Sequence, residues 1–112
     1  MSVAYDGAMS SDRLEKLQGM LARKPDDPFL LYGVAMELKK LGEPAEALAY
    51  LDRVTGADPN YCYAYHQKGL IHESQGDVEA AKRAYRDGIE AAVRSGDEHA
   101  RGEIEGALGM VE

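Results

Sequence analysis

Residues 28–61 read PFLLYGVAMELKKLGEPAEALAYLDRVTGADPNY, and residues 62–95 read CYAYHQKGLIHESQGDVEAAKRAYRDGIEAAVRS. Laid one on the other, the two stretches share a pattern at an offset of 34 residues. Leu31, Ala35, Leu38, Gly42, Ala47, Leu51, Val54 and Pro59 fall on Tyr65, Gly69, His72, Gly76, Ala81, Tyr85, Gly88 and Val93. Pro59 itself stands 34 residues after Pro25. Each copy holds two segments with apolar residues at helical spacing, separated by a glycine turn. A repeat of that length built from two amphipathic segments predicts a stacked array of helical hairpins.

The segments around the copies extend the pattern. Residues 1–10 show no period and are expected to form a disordered tail. Ser11 and Asp12 offer cap oxygens, and Glu15 follows Asp12 by three residues as in a capping box. Leu14, Leu17 and Leu21 then form a helical stripe that Pro25 ends. Asp27-Pro28 predicts the next start, with the acid as cap and proline at the first helical position. Pro44, Asn60, Asp77 and Asp97 are the expected starts of the later helices, and Gly42, Gly76 and Gly96 the expected breaks. The last segment carries Ala100, Ile104, Leu108 and Val111 on one stripe but also Gly102, Gly106 and Gly109. Each glycine costs up to about 1 kcal/mol in a helix. That segment is therefore expected to be helical only when docked on the preceding pair. Nothing alternates with period two, so no strand is expected.

The repeat resembles the tetratricopeptide repeat (TPR), whose pattern is Trp-x2-Leu-Gly-x2-Tyr, Ala-x3-Phe, then Pro. The first copy supplies Leu31, Val34, Ala35, Leu38, Ala47, Leu51 and Pro59. The second supplies Tyr65, Lys68, Gly69, His72, Ala81 and Tyr85. Leu17 precedes Pro25 as Leu51 precedes Pro59, which adds a half-repeat. Lys68, His72 and Val93 depart from the pattern. The closing segment also looks like the last helix of short stand-alone bacterial TPR proteins. The resemblance implies an all-α fold, a short right-handed solenoid of antiparallel helix hairpins with about six helices. Its expected organisation is one domain over 11–111. A half-repeat occupies 11–24, the repeats occupy 28–61 and 62–95, and a capping helix occupies 97–111.

The resemblance further implies a concave face lined by the first helix of each hairpin. Its positions here are Phe29, Tyr32, Gly33, Met36 and Lys40, then Tyr63, His66, Gln67, Leu70 and Glu73. This set is aromatic and apolar where the chaperone-binding TPR class uses Lys and Asn to grip a carboxylate. A partner with apolar or aromatic anchors is expected, as a peptide segment or helix of another protein. The alternatives are a second copy of the chain, paired through the stripe or the stacking ends, and terminal helices folding partly over the face.

Composition narrows the function. The net charge is −7, and the 13 basic residues are scattered. That pattern disfavours nucleic-acid and anionic-membrane partners. No stretch is apolar enough to span a bilayer. The single cysteine, Cys62, has no disulfide partner within the chain, and no signal-peptide pattern opens it, so a cytoplasmic location is expected. His66 and His72 are six residues apart, not the i, i+4 spacing of a zinc helix, and His66 with Glu73 supplies only two ligands. Cys62 has no base in evident reach. No catalytic residue, metal or cofactor is expected.

Overall fold

The computed structural model describes residues 8–112, with side chains from Asp12 onward. Six helices follow one another: α1 (Ala8–Arg23), α2 (Pro28–Lys40), α3 (Pro44–Ala57), α4 (Cys62–Ser74), α5 (Val78–Ser95) and α6 (Glu98–Val111). No strand occurs among the described residues. None of the described helices is long and apolar enough to cross a membrane. The fold is the all-α helix-hairpin array of the TPR type. Two compact units divide the chain between Ala57 and Asp58, and each is described in turn.

In the first unit α2 packs against α1 on one side and α3 on another. The Asp27 carboxylate accepts the Phe29 and Leu30 N–H groups at 2.9 and 3.2 Å, which closes two of the four open donors of a helix start. Leu31, Val34, Ala35 and Leu38 of α2 are buried, with Ala47, Leu51 and Val54 of α3. Leu17 of α1 lies over Gly33, where an added Cβ would meet its methyl groups at 3.3 Å. Gly42, at φ +77°, turns the chain between α2 and α3.

In the second unit α5 packs between α4 and α6. Tyr85 of α5 is fully buried, in a cluster with Cys62, Ala81, Ala91, Ala92, Ala100 and Ile104. Its ring occupies the space that a side chain on Gly69 would need, since a Cβ there would fall 2.1 Å from Cε1. Gly88 serves the same end between Tyr65 and Ile104, with a Cβ position 2.9 Å from the Tyr65 Cβ. Asp77 and Asp97 cap α5 and α6 by accepting the Ala80 and Ala100 N–H groups at 3.1 and 3.0 Å. With that cap and with Ala100 and Ile104 buried, α6 is helical despite its three glycines.

Two expected caps are corrected. The helix α1 already includes Ala8, so Ser11 and Asp12 lie within it and not ahead of it. Ala8 and Met9 are good helix formers, and nothing at 8–10 forces a break. The expected tail lies outside the described residues through residue 7. Asn60 does not cap α4, whose N-cap is Tyr61 without a side-chain bond. The Asn60 side-chain oxygen instead accepts the Arg94 Nε–H at 3.0 Å, and Arg94 also donates to the Pro59 carbonyl at 3.0 Å.

Candidate functional site

The expected interaction residues fall on α2 and α4, and each helix is set by its neighbours. On α2, Leu31, Ala35 and Leu38 are consumed in the core, and Leu30, Gly33 and Glu37 lie on the α1 side. Phe29, Tyr32, Met36 and Lys40 occupy the remaining arc at i, i+3, i+7 and i+11. Phe29 is 72% exposed, Tyr32 and Met36 are half-buried, and Lys40 is exposed. The Lys40 ammonium is not idle, for it donates to Glu37 at 3.2 Å.

Glu37 was not visible as a special residue in the sequence. It is the buried charge of this unit at 3% exposure. Its Oε2 is met by Arg13 Nε of α1 at 2.9 Å as well as by Lys40 Nζ. A buried carboxylate without partners is costly, so this double pairing fixes α1 beside α2. Arg13 lies 24 residues before Glu37 in the sequence, and no local spacing announces the pair.

On α4, Tyr63, His66, Gln67, Leu70 and Glu73 are all half-buried. Three of them are held from behind or beside. The Tyr85 hydroxyl emerges past Gly69 and donates to the Glu73 carboxylate. The His66 ring meets Tyr85 edge-on, with centroids 6.0 Å apart. One buried tyrosine therefore touches both His66 and Glu73. Burial, then the bond to Glu73 and its charge, raises the Tyr85 hydroxyl above the ordinary tyrosine range. Tyr63 packs partly against the cluster of α5 and α6 and lies in the field of Glu103 and Asp97. Desolvation there, with the charges of Glu103 and Asp97, raises its hydroxyl as well. The terminal helix packs mainly on α5 and meets α4 only slightly.

Among the described residues no group of three His, Cys, Asp or Glu side chains is arranged to hold a metal ion. The buried Cys62 thiol lies 3.3 Å from the Asn60 carbonyl oxygen and 3.8 Å from the Ser95 hydroxyl. His99 pairs with Glu103 at 3.5 Å when protonated. The chemistry offered on α2 and α4 is that of contact: rings, thioether, amide and a few charges.

The tetratricopeptide-repeat family model matches residues 30–61 and 63–92, more than half of the chain and in phase with both copies. The chain belongs to the tetratricopeptide-repeat family. This TPR chain is 29% identical over 91 residues to a TPR repeat-containing protein of Pseudomonas aeruginosa, covering 81% of this chain and 87% of that one. It is similar to the solution structure of a tetratricopeptide repeat domain protein from Salinibacter ruber, with 31% identity and a TM-score of 0.74. That match covers 79% of this chain and 89% of the other. The crystal structure of PcrH in complex with the chaperone binding region of PopD shares the fold. Its TM-score is 0.84 at 18% identity, over 96% of this chain and 81% of that one. The TPR array is a protein–protein interaction module, and its family is typically non-enzymatic.

Proposed function

We propose that this TPR protein is a non-enzymatic adaptor of the cytoplasm that holds a peptide segment or helix of a partner protein. The contacts come from the outer arcs of α2 and α4, with Tyr32, Met36 and Leu70 as anchors. Phe29 and Lys40 join them on α2, and Tyr63, His66, Gln67 and Glu73 on α4. The observation that carries the reading is the arc on α2. Phe29, Tyr32 and Met36 are large, and neither α1 nor α3 consumes them in the core. Rings and thioethers on an open helix face are the usual material of binding anchors. PcrH, a protein of the same fold, is seen with a segment of PopD. No Lys and Asn set replaces these residues, so a chaperone carboxylate clamp is not the mode proposed.

The test is affinity capture and then titration with the wild-type chain and with Tyr32→Ala/Met36→Ala. Both positions are half-buried, so the circular dichroism spectrum and melting temperature are recorded for each variant. We expect a partner bound by the wild type to lose at least about tenfold in affinity, or 1.4 kcal/mol. Unchanged affinity in a folded double variant removes the proposal.

A further inference from the structure

A cleft of about 750 Å³ opens between the second half of α1 and the start of α2. Its apolar part is made by Met20, Phe29 and Leu30, and Gly19 leaves the α1 wall open. Met20 is 52% exposed and Phe29 72%. Two large apolar side chains thus stand uncovered at one spot.

The rim of the same cleft carries Lys16, Arg23 and Lys24. None of these three makes an ion pair or side-chain hydrogen bond among the described residues. By contrast, Arg13, Lys40, Lys82, Arg86 and Arg101 are each paired with a glutamate. The acid in the cleft, Asp27, is occupied by capping α2. Placement near the C-terminus of α1 accounts for Arg23 and Lys24 through the helix dipole. It does not account for Lys16, about two turns earlier, nor for the exposed Met20 and Phe29. In a chain of net charge −7, three cations without ion-pair partners among the described residues outnumber the one carboxylate of the cleft, Asp27, and give its apolar floor a surround opposite in sign to the whole.

We infer that this cleft is a second docking site, for an acidic peptide segment of another protein that carries a large apolar or aromatic anchor. The anchor lies on Met20, Phe29 and Leu30, and acids before and after it meet Lys16, Arg23 and Lys24. A second copy of the chain fits less well. At its acidic C-terminal end Glu98 and Glu105 already pair with Arg101, Glu112 with Arg86, and Glu103 with His99 when that ring is protonated. The site shares Phe29 with the α2 arc but otherwise lies outside the arcs of α2 and α4, and it stands or falls independently of Tyr32, Met36 and Leu70.

The probe is a fluorescein-labelled peptide, Glu-Asp-Glu-Leu-Phe-Asp-Glu-Glu, titrated against the full chain by anisotropy and by amide chemical-shift mapping. The control peptide has each acid replaced by lysine. Shifts are expected at residues 16–30, with affinity falling as salt is raised. Gly19→Leu is the decisive variant, because a Cβ at Gly19 meets nothing within 4 Å and leucine favours the helix. It should fill the cleft, leave the melting temperature unchanged or higher, and weaken the peptide at least about tenfold. Lys16→Glu/Arg23→Glu/Lys24→Glu should weaken it likewise, and Tyr32→Ala/Met36→Ala should not. Equal binding of the lysine peptide, or undiminished binding to Gly19→Leu, overturns the inference. So does shift mapping to Tyr32, Met36 and α4 alone. Absence of peptide binding, with a self-association that Gly19→Leu abolishes, overturns it in favour of a second copy.

Discussion

Gly69→Ala should destabilise the chain, although the same change is favourable in most exposed helices. The added Cβ would stand 2.1, 2.5 and 2.6 Å from Cε1, Cδ1 and Cζ of Tyr85. Carbon atoms settle at about 3.5–4.0 Å, so the ring must retreat by roughly 1.5 Å. It has nowhere free to go, because Tyr85 is 0% exposed and its hydroxyl is anchored on Glu73. Overpacking of this kind costs about 3 kcal/mol at the upper end of its usual range. Alanine returns up to about 1 kcal/mol of helix propensity. The net loss is about 2 kcal/mol, or on the order of 8 °C in melting temperature. Repeat one holds the answer to the clash, since Ala35 and Leu51 stand at the matching positions there and both are fully buried. Gly69→Ala/Tyr85→Leu rebuilds that pair and should be less harmful than the sum of its single changes by at least about 1.5 kcal/mol. Urea unfolding of the four chains measures the cycle, with Gly106→Ala, whose Cβ meets nothing within 4 Å, as a control expected to stabilise slightly. A neutral Gly69→Ala, or strict additivity of the pair, refutes the argument.

Two further outcomes follow from buried polar contacts. The Tyr85 and Tyr63 hydroxyls are raised in the folded chain, so folding favours their protonated forms. That contribution is complete below the unfolded tyrosine value of about 10 and is lost as pH rises above it. Stability measured by urea midpoint should therefore fall above about pH 10. Tyr85→Phe/Tyr63→Phe should flatten the fall, and an unchanged slope counts against both assignments. Arg13→Ala should cost about 1 kcal/mol, discounted because Arg13 is 67% exposed although Glu37 is 4%. A coupling between Arg13→Ala and Glu37→Ala under about 0.3 kcal/mol in a double cycle would show that the pair does not fix α1.

Much of the fold was legible because its signals are local. Asp27, Asp77 and Asp97 cap their own helices, and Gly42, Gly76 and Gly96 take the positive φ that their turns require. The small residues Ala35, Gly69, Ala47 and Ala81 are buried where hairpin packing demands them. Asn60 misled for a physical reason: an amide ahead of a helix suits a cap equally well, and Arg94, 34 residues on, claimed it. The candidate positions on α2 and α4 were implied by the resemblance to the TPR. Their supports were not, since Arg13–Glu37 and Tyr85–Glu73 join residues on different helices. The cleft at Met20 and Phe29 was likewise hidden, because it is made by two helices crossing and not by one periodic stripe.

The bond between Tyr85 and Glu73 makes the two helix faces unequal as substrates for evolution. At the matching position of repeat one stands Leu51, a buried side chain with no polar group to satisfy. Behind the α4 arc stands a phenol that needs an acceptor. Replacing Glu73 to suit another ligand strands that hydroxyl, and a ligand that draws Glu73 away must supply an acceptor in its place. The surface of α4 is therefore tied through Glu73 to the integrity of its own core.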